Sequence, residues 1–380
     1  MYKVFIIGNS NSIWTREYVR NIHANGKNEI YITAYEPLTE ESRQDYEEME
    51  VTVVNLFSKN RLLNKVSKTF NLAKLCLFDC KKYGIDYVDI QSPPHSIQAK
   101  FLYYFLKNVK ADIIIEFWGS DIMRVSSEGA KRMHPLFSIA SYVNVSTKEI
   151  RDSFKAHYGD EFDSRFVAAK FGSLAFGEIK KLKEKDDKKL CKARFGLDEN
   201  KLTVAIGHNG NMEQQHVAVL NELKTLREDL KEKIELMIHL GYGVPSGYAD
   251  EVKKAAAECG ISYVILEELY DLKTIAKLRV ATDIIVHAQT TDALSGSIRE
   301  CLYAGGVLLN PSWISYEEFD RLGIEYVKYD DFDEIASYIE KLIIGDIGMD
   351  IGHNIEALGE AFSWDAVKKD WMMIFNERTS

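Results

Sequence analysis

The sequence predicts an α/β protein made of two Rossmann-like, doubly wound parallel sheets in tandem. Three observations carry this reading. Short apolar runs alternate with amphipathic stretches along the chain, as expected for parallel strands joined by crossover helices. The alternation is interrupted at 176–200, a charge-dense and apolar-poor stretch, and restarts at Leu202. The length of 380 residues also exceeds the size at which one core stops growing. The expected organisation is a first domain over 1–175, a linker over 176–200, a second domain over 201–355 and a crossover helix over 356–380 that packs on the first domain.

In the first domain, Val4 to Ile7 reads as a buried strand ending in Gly8-Asn9-Ser10, followed by a helix over Ile13 to Asn25. Further strands are expected at Ile30 to Ala34, Val51 to Leu56, Tyr87 to Gln91, Ile113 to Phe117 and Tyr142 to Val145, each closed by a polar or Gly/Pro break. In the second domain, Leu202 to Ile206 is a strand ending in Gly207-His208-Asn209-Gly210-Asn211, and Gln214 to Leu230 a helix. Leu236 to Leu240 is a strand ending in Gly241-Tyr242-Gly243, with a helix over Ala249 to Cys259 and a strand over Tyr263 to Ile265. Leu272 to Val280 reads as a helix, and Ile284 to Ala288, Val307 to Leu309 and Glu325 to Lys328 as strands. Loops at the carboxyl ends of such strands are where doubly wound sheets bind ligands, so each half is expected to turn a cleft-lining edge toward a site.

Composition narrows the class. Apolar residues at 46% and charged residues at 28% are ordinary globular values. Five scattered cysteines suggest neither a disulfide framework nor a zinc site. No apolar run approaches a membrane span and no signal peptide is recognisable, which predicts a cytosolic protein. The net charge of -10 and the lack of a known binding module argue against a nucleic-acid partner. The first half is nevertheless slightly basic. Ser58 to Lys82 interleaves Lys59, Arg61, Lys65, Lys68, Lys74, Lys81 and Lys82 with apolar residues, a pattern that suits either an anionic membrane surface or an ordinary surface helix whose apolar stripe meets the core.

The segment Asp292-Ala-Leu-Ser295-Gly296-Ser297-Ile-Arg299-Glu300 carries the most chemistry. The amides of Ser295, Gly296 and Ser297 are expected to open a helix, and a helix N-terminus binds a diphosphate through free N–H groups and its dipole. Glu300, one turn on, is placed to accept hydrogen bonds from a diol such as a ribose; Asp292 precedes the turn. A plain strand-turn-helix with a capping serine and a solvated glutamate is the alternative. Arg299 is read either as a phosphate contact or as facing solvent or Glu300. No metal is expected.

With its spacing, Asp292, seven residues, Glu300 and then Tyr303-Ala-Gly-Gly-Val307, this segment resembles the donor-site motif of the GT-B glycosyltransferases, in particular the large group of retaining enzymes. Asp stands where that motif has its first Glu, and its Pro is missing. The loop Phe117-Trp118-Gly119-Ser120-Asp121 resembles the His-Gly-x-Asp loop of the acceptor lobe. Phe171-Gly-Ser173 resembles the hinge, and Phe362 to Phe375 the terminal helix that crosses back onto the first domain. The Gly207 to His216 and Ile238 to Gly243 segments are similar to the enterobacterial common antigen acetamidofucosyl transferases, which invert, whereas the carboxylate pair favours retention.

The resemblance implies a glycosyltransferase with a nucleotide-sugar donor as co-substrate, a glycan or lipid-linked acceptor and a role in bacterial surface polysaccharide synthesis. It places Gly207, His208, Asn209, Gly210, Asn211, Gly241, Tyr242, Gly243, Ser295, Gly296, Ser297, Arg299 and Glu300 at the donor, and Asn9, Ser10, His95, Trp118 and Gly119 on the acceptor side. Asp292, Glu300 and Asp121 are the catalytic candidates. Asp121 is either a general base for the acceptor hydroxyl or part of a helix cap. A non-catalytic nucleotide- or glycan-binding protein and a nucleotide-sugar epimerase remain the alternatives.

Overall fold

The structure is a computed structural model that describes residues 1–24, 26–58 and 64–376. The chain divides into two compact units, Met1–Gly172 with Trp364–Ser380, and Ser173–Ser363.

The first unit holds strands β1 (Lys3–Ile7), β2 (Glu29–Ala34), β3 (Thr52–Asn55), β4 (Tyr87–Gln91), β5 (Asp112–Glu116), β6 (Tyr142–Asn144) and β7 (Phe166–Val167). They form one sheet in the order β3-β2-β1-β4-β5-β6-β7, and every pairing is parallel. The second unit holds β8 (Leu202–Ile206), β9 (Ile234–His239), β10 (Tyr263–Leu266), β11 (Ile284–Val286), β12 (Val307–Pro311) and β13 (Val327–Tyr329). Their order is β10-β9-β8-β11-β12-β13, again all parallel. In both sheets the chain winds outward from the first strand, returns and winds the other way. The direction reverses between β1 and β4 and between β8 and β11, and at such a switch point the flanking loops splay apart to leave a crevice.

Helices cover both faces of each sheet, so the strands read as continuous apolar runs. In β8, Val204 and Ile206 enter one buried cluster while Ala205 enters the cluster on the opposite face. In the first unit, Ile6, Tyr18, Ile32, Tyr87 and Ile114 pack with Val367, Trp371, Ile374 and Phe375 of the last helix, Trp364–Asn376. The Tyr87 hydroxyl donates to the Phe375 carbonyl at 2.8 Å and Trp371 Nε1 to the Lys170 carbonyl at 2.8 Å.

Four expectations are corrected. The stretch 176–200 is no linker: it forms helices Phe176–Glu184 and Lys188–Arg194, whose Phe176, Ile179 and Cys191 enter the core of the second unit. Its dense charge lies around that narrow apolar stripe, which masks the amphipathic period. The helix expected over Gln214 to Leu230 is broken into His216–Leu223 and Glu228–Lys231, after Gln215 adopts φ 54°. The terminal segment is two helices, Ile351–Phe362 in the second unit and Trp364–Asn376 in the first, separated at Ser363. The helix from Ile13 stays α-helical only to Tyr18 and continues as a π-helical turn over Val19–His23; Asn25 lies outside the described residues. Of the basic stretch Ser58 to Lys82, Lys59, Arg61, Leu62 and Leu63 also lie outside them.

Candidate functional site

Four chain segments converge at the switch point of the second unit. Gly207 follows β8 with φ 63°, where an added Cβ would come within 2.8 Å of His216 Nε2; glycine alone takes this backbone without strain and leaves room for the ring. The Asn209 side chain accepts from Asn211 N at 2.9 Å, and that of Asn211 from Glu213 N at 3.2 Å. Gly210 N donates to the Tyr242 carbonyl at 2.8 Å, joining this loop to Gly241–Gly243. A Cβ at Gly241 would stand 2.3 Å from the Glu268 carbonyl oxygen, so the loop after β9 packs directly on the one after β10. Tyr242 itself is 54% exposed.

Histidines gather around this joint. His208 stands beside His287, ring centroids 6.3 Å apart, and beside the Gln214 amide at 3.3 Å. His216 Nδ1 lies 3.1 Å from the Tyr248 hydroxyl. His239 closes β9 and is buried. Burial drives all three below the ordinary imidazole value: His216 to about 4, His239 to about 3, and His208 well down, with His287 and Arg279 adding repulsion. Desolvation disfavours the charged ring. His208 Nδ1, His216 Nε2, His239 Nε2 and Gln214 Oε1 are buried without a hydrogen-bond partner. His287 Nδ1 is 2.8 Å from Asn310 Oδ1. The Asn310 amide nitrogen already donates to the Pro311 and Ile314 carbonyls, so its oxygen faces the ring and accepts from His287 Nδ1.

The fourth segment runs into helix Gly296–Ala304, with Ser295 at its N-cap. Asp292 accepts from Ser295 N at 2.8 Å and from the Tyr316 hydroxyl at 2.7 Å, and Leu294 between them is forced to φ 63°. A buried non-glycine residue in that region costs about 1–3 kcal/mol, and such strain clusters at ligand sites. The Ser295 hydroxyl is buried and unpartnered, while Ser297 accepts from Arg279 at 2.8 Å.

Glu300 is not solvated. It pairs with Arg279 at 3.2 Å, the side chains being 8% and 4% exposed for Arg279 and Glu300, and its other oxygen accepts from Ala175 N at 3.2 Å. Nor does Arg299 face solvent: it is buried, with its guanidinium 4.7 Å over the Phe362 ring, and burial lowers its pKa to about 10. The first turn of the helix thus holds Arg299, and Arg279 of helix Leu272–Ala281, paired with Glu300, reaches it at Ser297; a helix N-terminus with buried cations beside it favours an anion. Among the described residues, no group of three or more His, Cys, Asp or Glu side chains is placed to hold a metal ion.

In the first unit the loops after β1, β4 and β5 lie at the other switch point. Asn9 accepts from Asn11 N at 3.1 Å, and the buried Ser10 gives its carbonyl to Tyr46 at 2.9 Å. Asp121 is buried in the first turn of helix Ser120–Met123; its Oδ1 accepts from Trp118 N at 3.0 Å and from Gly119 N at 2.9 Å. The N-cap is Gly119, not Ser120 or Asp121, and the carboxylate holds the turn from inside. Burial raises the Asp121 pKa against these hydrogen bonds. Trp118 keeps a buried, unpartnered indole N–H, and His95 is exposed.

Sequence reasoning missed Asp89 and Glu116, fully buried on adjacent strands β4 and β5. Strand register pairs Gln91 with Glu116, so Asp89, two residues before Gln91, shares their face. Burial raises both carboxyls above their usual range, and the neighbouring Asp89 raises Glu116 further. It also missed Arg279, His239 and His287. The available signal was a polar side chain at the end of an apolar run: Ile238-His239, Val286-His287 and Ile115-Glu116.

No protein-family model matches the sequence, and no curated protein matches it either. Among solved structures the chain is similar to a glycosyltransferase from Rickettsia africae ESF-5, with a TM-score of 0.77 at 15% identity over 100% of this chain and 99% of that one. It is similar to Alr3699/HepE from Anabaena in complex with UDP-glucose, with a TM-score of 0.69 at 12% identity over 99% of each chain. A third similar structure is the UDP-GlcNAc 2-epimerase from Neisseria meningitidis bound to UDP-GlcNAc, with a TM-score of 0.60 at 12% identity over 100% of both chains. Two parallel α/β sheets of seven and six strands are the fold held in common with the GT-B glycosyltransferases. At these identities the likeness establishes the fold.

Proposed function

We propose that the protein is a nucleotide-sugar glycosyltransferase that binds its donor at the switch point of the second unit. The observation that carries this reading is the convergence of the Gly207–Asn211 loop, the buried imidazoles around it and the N-terminus of helix Gly296–Ala304, with Arg279 and Arg299 beside it. Such a group suits a diphosphate: amide donors, a helix dipole and buried cations stabilise the leaving anion as the sugar–oxygen bond breaks. A fold shared with a UDP-glucose complex over the whole chain supports the choice of donor.

In this reading the imidazoles receive the phosphate oxygens, and Tyr242 flanks the nucleotide base. Glu300, clamped by Arg279 and Ala175, retains a lone pair on each oxygen for a ribose diol. Asp292 fixes the entry to the helix through Ser295 and Tyr316 and borders the transferred sugar. The acceptor, a glycan or a lipid-linked one in surface polysaccharide synthesis, is assigned to the first unit, where Asp121 or the Asp89–Glu116 pair supplies protonatable carboxyls. Catalysis is assigned to the chain's own groups, without a metal.

The test is incubation with a panel of nucleotide sugars, with and without glycan acceptors, in the presence of a chelator, followed by chromatography of nucleotides and sugars. Acceptor-dependent release of a nucleoside diphosphate, lost in His208→Ala, is expected. Binding of donors without any turnover would instead make the chain a non-catalytic two-lobed binding protein. The likeness to the epimerase favours one second reading, conversion of the sugar while it stays on the nucleotide. Product formed without an acceptor would select it.

A further inference from the structure

Helix Ile97–Leu106 carries two apolar stripes where a surface helix needs one. Ala99, Leu102 and Leu106 are buried, as expected for the stripe that meets the sheet. On the opposite side Ile97, Phe101 and Tyr104, at i, i+4 and i+7, are 52%, 39% and 58% exposed. Phe101 is stacked on Phe105 with ring centroids 6.2 Å apart. The helical turn Leu75–Asp79 packs beside this helix, and its run behaves alike. Leu72, Leu75, Cys76 and Cys80 are buried, while Phe70 and Leu77, seven residues apart, are exposed.

The charge on these two runs is mostly basic. Lys74, Lys81, Lys82, Lys100, Lys107 and Lys110 are all exposed, and among the described residues none of the six forms an ion pair. Over 70–83 and 97–110 the only acid is Asp79, in a chain with a net charge of -10. Lys107 lies over the Tyr104 ring at 5.2 Å and Lys82 over Tyr83 at 5.2 Å, so cation and aromatic ring present themselves together. A surface meant only for water has no use for exposed Phe, Ile and Leu at helical spacing. A surface for a polyanion alone needs the lysines and not the apolar stripes.

We propose that this face of the first unit docks on an anionic lipid bilayer, with Phe70, Leu77, Ile97, Phe101 and Tyr104 entering the interface and the lysines meeting lipid phosphates. Interfacial helices combine these features: lysines at headgroup level, aromatic and aliphatic side chains just below, and no spanning segment. Among the described residues no helix is long and apolar enough to cross a membrane, so the contact is peripheral. Sequence pattern alone suggested this role only for Ser58 to Lys82; beside it, helix Ile97–Leu106 adds a run, 97–110, that contains no acid. The inference bears on a lipid-linked acceptor but stands independently of donor chemistry.

Flotation of the full chain with phosphatidylcholine vesicles, with and without phosphatidylglycerol, tests it. The wild type is expected to float with the mixed vesicles, to remain behind with pure phosphatidylcholine, and to be released by salt. Lys100→Gln/Lys107→Gln/Lys110→Gln and Phe101→Ser/Tyr104→Ser should each weaken flotation by about tenfold or more, while keeping the wild-type melting temperature and donor turnover. Absence of flotation, or flotation unaffected by both variants, overturns the proposal. So does capture by an RNA oligonucleotide with no vesicle binding, which would identify a nucleic-acid surface. Flotation without donor turnover would leave the membrane surface standing and remove only the proposed reaction.

Discussion

Along β4 and β5 the first unit buries Asp89, Glu116 and, just beyond, Asp121; around β8, β9 and β11 the second buries His216, His239, His287, Arg299 and the Arg279–Glu300 pair. The two sheets wind in the same order, yet one switch point is acidic and the other basic. Burial acts on both in the same direction, toward neutrality. It raises the carboxyls, Asp89 to about 7, and lowers the imidazoles, His239 to about 3. An arriving anion affects them differently. Negative charge stabilises protonated imidazole and draws protons into the second site, whereas at the first it only holds the carboxyls protonated. The basic end is therefore fitted to a diphosphate and the acidic end to a neutral ligand rich in hydroxyl groups.

The largest expected effect breaks the second site. Glu300→Ala leaves the Arg279 guanidinium buried without its carboxylate and is expected to cost about 3–5 kcal/mol, read as a lower urea midpoint. An unchanged midpoint would mean that Arg279 finds another partner or reaches water.

The next two predictions set the pH responses of the units against each other. The folded pKa values of His216 and His239, about 4 and about 3, lie below the unfolded value of 6.5. The folded state thus binds fewer protons between these limits, and stability falls as pH drops below 6.5. Each such imidazole contributes up to about 1.4 kcal/mol per pH unit, so His239→Gln should flatten the decline in urea midpoint from pH 7 to pH 5. Asp89 has the reverse sign. Its folded pKa of about 7 exceeds the ordinary aspartate value of 3.8, so its contribution is full below 3.8 and is lost as pH rises toward 7. Asp89→Asn should flatten a decline in melting temperature across that window, by a few degrees. Identical pH profiles for the wild type and Asp89→Asn would remove the contrast between the sites.

The smallest expected effect on stability is Tyr242→Ala, because the ring is 54% exposed and touches little of the core. A shift within about 0.5 kcal/mol is expected, together with weaker donor binding. Normal binding would exclude base stacking by Tyr242.

Parallel sheets buried on both faces leave plain marks, and the strand runs at Val4, Tyr87, Leu202 and Ile284 were legible for that reason. The 176–200 helices were not, because lysines outnumber their apolar stripe of Phe176, Ile179 and Cys191. At the site, glycines marked the loops at Gly207 and Gly241, since close backbone approach leaves little choice of residue. The partners of Glu300 were hidden. Arg279 lies 21 residues away and Ala175 lies 125 away, and no local pattern reports that a charged side chain in one helix will be buried against another. The Asp89–Glu116 pair was hidden likewise, because neighbouring parallel strands are joined only through a long crossover.

Binding of a nucleoside diphosphate at the second switch point is open to direct measurement. Calorimetric titration of UDP and the other nucleoside diphosphates near pH 7, in buffers of different ionisation enthalpy, measures binding and proton exchange together. At least one is expected to bind with net proton uptake, and His208→Ala to reduce both. Failure of every nucleoside diphosphate to bind, or binding with no proton uptake and unchanged in His208→Ala, would contradict the proposed donor site.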